Sequence, residues 1–127
     1  MTPTEIRARI DQYINAYNRK DVTAMLLTVH HDVEFKNIAG GHVNTHTTGR
    51  EELKVLAEQS VAIFSERHQE ILSFESSTHM ASATIAFRAV VANDLPNGLK
   101  KGQTLELSGR SEFEFKDGLI ARITDLS

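Results

Sequence analysis

Four residues have types and spacings that point to chemistry: an acid two positions from the chain end, Asp125; an amide in an alternating segment, Asn37; and two phenols one helical turn apart, Tyr13 and Tyr17. In ARITDLS, Ile123 and Asp125 share one side of an extended segment, and in VEFKN, Val33, Phe35 and Asn37 do the same. A carboxylate set beside Ile123, Phe35 and Phe87 is desolvated, which raises its pKa toward neutrality, where a general base works well. Asn37 is suited to orient a water or a substrate carbonyl, and a tyrosine to offer a hydroxyl donor. Each has a plainer reading. Asp125 is also compatible with exposure at the chain end or an ion pair with Arg122, Asn37 with a backbone hydrogen bond, and the tyrosines with core or rim packing.

The histidines raise a metal question, because His42 and His46 have three residues between them in AGGHVNTHTTG. On a helix that spacing converges on one face; in a Gly-rich loop it fixes no geometry. No HExxH or Glu-x-x-His is present. The expectation is no metal and no cofactor, with the segment from Ala39 to Thr48 a flexible rim over a pocket mouth. The chain has no cysteine, so thiolate chemistry, disulfides and Cys-based zinc sites are excluded. A net charge of −3 with interspersed signs gives no footprint for a phosphate backbone, and nucleic acid is not an expected partner. No run has the length of a membrane span, and MTPTEIRARIDQYINAY lacks the apolar core of a signal peptide. The expected location is cytoplasmic.

The elements that must position these residues follow from periodicity. At 127 residues and 40% apolar content, one domain over 1–127 with a real core is expected. Thr2-Pro3-Thr4-Glu5 is a capping box ahead of Ile6, Ile10, Tyr13, Ile14 and Tyr17 at helical spacing. Asp21 caps a shorter helix bearing Val22, Met25, Leu26 and Val29 that ends near His30 and His31. Thr48-Gly49-Arg50-Glu51 repeats the capping pattern before Leu53, Leu56, Ala57, Val61 and Phe64. Val33 to Ile38 reads as an early strand. From about His68 the period becomes two, with strands near His68 to Glu75, Met80 to Ala92, Thr104 to Phe115 and Leu119 to Leu126. Turns fall at Ser76 to His79 and at Lys116-Asp117-Gly118, with a longer connection over Asn93 to Gly98.

Alternation assigns the strand faces. Ile85, Phe87 and Ala89 point inward on the long strand, and Leu107, Gly109, Ser111, Phe113 and Phe115 on the next. The opposite faces carry Arg88, Glu106, Arg110, Glu112 and Glu114, which suit cross-strand charge pairs on a solvated or subunit-facing surface.

This element order, with YNRKD after a Tyr-bearing helix, HHDVEF entering a strand, TTGREEL opening a helix and FEFKDGLIARITD at the end, resembles the nuclear transport factor two-like superfamily. It is most similar to SnoaL-like members, relatives of ketosteroid isomerase and limonene epoxide hydrolase. The resemblance covers essentially the whole chain. It implies an α+β fold, a cone-like α+β barrel in which three N-terminal helices pack on a curved antiparallel sheet around a central pocket. It also implies a homodimer through the sheet.

Against the isomerase, Tyr13 stands where the helix Tyr stands, but Asn37 replaces the base and Ser111 the protonated acid. Asn accepts no proton from carbon at neutral pH, so that mechanism does not carry over. Against the epoxide hydrolase, Asn37 and Asp125 occupy water-holding positions, while Phe35 replaces a Tyr and Phe87 and Ala89 stand where an Arg and an Asp should project. SnoaL-type cyclases use an inward Asp near the end of the sheet as a base, which again selects Asp125.

The leading reading is a small-molecule-binding domain taking a small apolar substrate. Its walls would be Tyr13, Tyr17, Phe35 and Leu56, with Ile85, Phe87, Leu107, Ser111, Phe113 and Ile123 from the sheet. With Asp125 as general base and Asn37 assisting, it would be a cofactor-free isomerase, cyclase or hydrolase. The alternative is a non-catalytic ligand-binding or dimeric assembly module of the same fold. Burial of Asp125 in a closed pocket facing Asn37, against exposure at an edge, discriminates them.

Overall fold

A computed structural model describes residues 1–127. The first helix, α1 (Pro3–Asn18), begins at the expected capping box: Thr2 Oγ1 accepts from the Glu5 N–H at 3.1 Å, and the Thr2 N–H donates to Glu5 Oε1 at 2.9 Å. Two orphan donors of the helix start are thereby satisfied. Ile6, Ile10, Tyr13 and Ile14 form its buried stripe.

Asp21 caps α2 (Val22–Leu26) by accepting from the Ala24 N–H at 3.0 Å. This helix ends earlier than its apolar spacing suggested. Val29 is instead the first residue of β1 (Val29–Ala39), where Thr28 and Val29 join the sheet beside Ile120. A β-branched residue with a strand partner gains more from the ladder than from one further helical turn.

The segment expected as a flexible rim is a strand, β2 (His42–Thr48), paired antiparallel with β1. Gly40 and Gly41 turn the chain between Ala39 and His42 with φ of 57° and 80°, the doubly positive geometry of the tightest hairpin turns. Pairing also removes the expected cap on the next helix. Thr48 is held opposite Glu34, so Gly49 becomes the N-cap with no side-chain bond, and the Thr48 N–H donates to Glu52 Oε1 at 2.9 Å.

Helix α3 (Arg50–Ile63) stops one residue short of Phe64, which opens β3 (Phe64–Ser76) opposite Val91. The remaining strands are β4 (Met80–Val91), β5 (Thr104–Lys116) and β6 (Leu119–Leu126). Both expected turns and the longer connection between β4 and β5 join them.

The sheet corrects the expected fold class. Its order is β2-β1-β6-β5-β4-β3, with β2 and β3 as free edges, so it is open and not a barrel. It is also mixed, because β1 runs parallel to β6 while every other pair is antiparallel. Only α1 and α2 precede the strands; α3 is inserted between β2 and β3. Hydrophobic alternation reports which side chains share a face but not which strands are neighbours, so neither the parallel pair nor the open edges could be read from it.

The core lies between α1 and the inner face of the sheet. Ile6 and Ile10 of the helix meet Val29, Val33, Phe113, Ile120 and Ile123, all essentially without exposure. Tyr13 packs its ring edge-on to Phe113 with centroids 6.5 Å apart.

Candidate functional site

Beyond that core the helices and the sheet diverge, and a cavity of about 490 Å³ opens between α1, α3 and the inner sheet face. This is the size of a site for one small molecule. Tyr13 and Tyr17 line it from α1, Phe35 and Asn37 from β1, and Leu56 with Ser60 from α3. Ile85 and Phe87 come from β4, Leu107 and Ser111 from β5, and Asp125 from β6.

Two residues expected in the wall are not there. Phe113 and Ile123 are each 1% exposed and form the core beneath the floor. They share the inner face with Ser111 and Asp125 but lie one pleat nearer α1, where helix side chains fill the space. Leu107 lines the opposite extreme and is 56% exposed at the mouth.

Asp125 is brought to the wall by the pairing of three strands. Its register partners are Ser111 on β5 and Asn37 on β1. The Ser111 hydroxyl donates to Asp125 Oδ1 at 2.7 Å, a short bond to a charged acceptor. Burial pushes the carboxyl up to about 6, and the Ser111 hydrogen bond pulls it back only in part. The group retains partial exposure, and it lines the cavity. Arg122, the alternative partner, is taken by Glu114 at 3.3 Å and Glu34 at 3.9 Å.

Asn37 stands beside Asp125 in the register, but its Nδ2 donates to Asn44 Oδ1 on β2 at 2.9 Å. Its donor is thus held by the hairpin. Tyr13 is buried, and its hydroxyl is held protonated first by that burial and then by the negative charge of Asp125. Tyr17 is raised for the same first reason, opposed by the nearby cation of Arg67 and by hydrogen bonding with Ser60 and Gln69. Both phenols therefore remain hydrogen-bond donors across the ordinary pH range.

Around Tyr17, the polar residues Ser60, Arg67 and Gln69 were missed, and Arg110, assigned to the outward face, instead reaches the cavity lining beside Ser111. Arg67 is 6% exposed; its Nε donates to the Tyr17 carbonyl at 3.0 Å, its Nη1 to Ser60 Oγ at 2.9 Å, and its guanidinium lies 3.7 Å from the Tyr17 ring centroid. Starting the strand at His68 left Arg67 outside it. Extending the alternation back from Ile71 through Gln69 to Arg67 would have set all three on the inner face.

The histidines stay outside the cavity. His42 and His46 are exposed on β2, and Thr45 is the β2 residue that reaches the lining. His30, His31 and Asp32 hold potential ligand atoms within 4.8 Å of one another. However, His30 Nδ1 already accepts from the Asp32 N–H at 3.1 Å and its Nε2 faces Asp117 at 3.5 Å. No lone pair of His30 is free for a metal in that arrangement.

Solved structures share this architecture. A proposed polyketide cyclase from Xanthomonas campestris pv. campestris is 22% identical with a TM-score of 0.83, over 98% of this chain and 90% of that one. TsrD from Streptomyces laurentii is 14% identical with a TM-score of 0.82, over 98% and 89%. An LEH-like epoxide hydrolase of M. tuberculosis is 14% identical with a TM-score of 0.78, over 97% and 82%. No curated protein matches the sequence. At these identities the structures establish the fold and leave the chemistry to the residues themselves. The SnoaL-like domain model matches residues 10–123, from the middle of α1 to the strand that carries Asp125, and the chain belongs to that family within the nuclear transport factor two-like superfamily.

Proposed function

We propose that the cavity binds a small, largely apolar molecule and that Asp125 takes a proton from it, or from a water beside it, without a cofactor. The observation that carries this reading is the Asp125 carboxylate on the cavity wall, fixed by Ser111 at 2.7 Å and raised to about 6 by burial. Such a group is mostly ionised at neutral pH yet basic enough to receive a proton. Tyr13 and Tyr17, kept protonated, supply donors for a substrate oxygen that gains charge as the proton leaves. The reaction class is proton abstraction next to a carbonyl, or water addition.

The second reading is a binding module without chemistry. The observation favouring it is that Asn37 turns its donor to Asn44 and away from Asp125. In that case Asp125 is a hydrogen-bonding anchor for a ligand.

The deciding measurement is the Asp125 carboxyl pKa, from carbon NMR shifts across a pH titration, with Asp125→Asn assigning the signal. A value of about 6 that rises further in Ser111→Ala, followed by turnover of carbonyl or epoxide substrates that Asp125→Asn abolishes, is the expected outcome. A value near the ordinary ~3.9 retires the general base.

A further inference from the structure

The buried cation of Arg67 is part of no ion pair in the chain. Its Nη2 is buried with no hydrogen-bond partner, although Nε and Nη1 are both satisfied. Burying a charge without a counterion is costly, so the guanidinium favours negative charge close by. The surroundings indicate where that charge would sit. Ser60 and Tyr17, the two residues that contact the guanidinium, both line the cavity, as does Gln69 two residues along β3.

These groups transmit the charge. Because Ser60 Oγ accepts from Arg67, the Ser60 hydroxyl proton is polarised and directed to another acceptor, and Tyr17 lies within its reach. The Tyr17 hydroxyl is then free to donate toward the cavity. Asp125 stands on a different wall: β3 is separated from β6 by β4 and β5, about 14 Å at ordinary strand spacing. The cavity thus has Asp125, with Arg110 beside it, on one side and the polar groups Tyr17, Ser60 and Gln69, backed by the buried Arg67, on another, with Phe35, Leu56, Ile85 and Phe87 between them.

We propose that the wall formed by Tyr17, Ser60 and Gln69, backed by Arg67, is a subsite for an anionic oxygen, so that the ligand is an apolar molecule carrying a carboxylate, phenolate or enolate oxygen at one end. Tyr17 donates to that oxygen, and Ser60 and Arg67 act through Tyr17 as positioning residues. This deepens the small-molecule reading of the cavity and does not depend on Asp125 acting as a base.

The test compares 2-naphthoate with its neutral isostere 2-naphthamide at pH 7.5, by calorimetry and NMR shift mapping. The wild type is expected to bind the carboxylate at least tenfold more tightly, with shifts at Tyr17 and Ser60. Ser60→Ala and Arg67→Gln should remove that preference, Arg67→Lys should restore part of it, and Asp125→Asn should keep it. Should Arg67→Gln fail to fold, Ser60→Ala, a helix-compatible change, decides. Equal affinity for the two probes, no binding of either, or a preference that survives in folded Ser60→Ala overturns the proposal. An Arg67 that only ties α1 to α3 would lower the melting temperature and leave the charge preference unchanged. The Asp125 titration reads separately, so either result leaves the general-base reading to its own measurement.

Discussion

Asp125 holds its proton to about pH 6 in the folded chain, against an ordinary 3.8. Between those values the folded state binds more protons than the unfolded state, so stability falls as pH rises from about 4 to about 6 and stays lower above that. The full shift sets an upper limit of about 3 kcal/mol, and the partial exposure of the carboxylate reduces this to roughly 1–2 kcal/mol. Asp125→Asn keeps an acceptor for Ser111 without the charge. Its melting temperature should therefore exceed that of the wild type by several degrees at pH 7.5 and converge with it near pH 4. Thermal scans across that range give the answer, and coincident curves would mean the charge costs the fold nothing. A residue that destabilises the chain it sits in is the pattern expected where function and stability compete. At this scale the sequence was informative: alternation alone set Asp125, Ser111 and Asn37 on one face. It could not show that Asn44 would claim the Asn37 donor, because that contact depends on a hairpin assigned to loop.

Among the elements, β5 and β6 carry the most consequential contact. A Cβ on Gly109 would meet the Leu126 carbonyl oxygen at 2.6 Å, closer than any side chain tolerates. Gly109 therefore lets the end of β6 lie against β5, with Asp125 one residue before Leu126. Gly109→Ala must push that strand end away, at a cost of about 1–3 kcal/mol. It should also lengthen the Ser111–Asp125 bond, seen as a changed Asp125 carboxyl shift; an unchanged spectrum and melting temperature would mean that β6 does not rest on Gly109. The helix starts were legible where a capping side chain was free to act, as at Thr2 and Asp21. They were misread where strand pairing competed, as at Thr48. Gly40-Gly41 was the available sign of the hairpin, and the polar composition around it hid a strand of Val and Thr. Phe64 and Val29 were misassigned for one shared reason: helical spacing continues smoothly into residues that a sheet partner then captures.

For the whole molecule, the open mixed sheet joins the two ends of the chain. β1 lies between β2 and β6, so the wall containing Asn37 and Asp125 needs the last strand before it exists. A fragment ending at Lys116 would retain every helix and five strands but lose the parallel partner of β1, exposing Val29 and Phe35 opposite the missing Ile120 and Ile123. That fragment should show poorly dispersed amide spectra and form aggregates, and a well-dispersed spectrum would show β6 to be dispensable. The central place of β6 also governs how the protein comes into being. A chain emerging from the ribosome can close α1, α2 and the β1–β2 hairpin early, but β1 must wait for β6, the last strand of the sheet, to seal its other side, and such distant pairings are slow to find. Until then an apolar strand stands with one side unpaired, the condition that invites association with other chains or a chaperone. The pocket accordingly exists only once β6 has paired: no state lacking that strand can hold a ligand against Asp125, and a small molecule that bridges the two walls would favour completion of the fold by mass action.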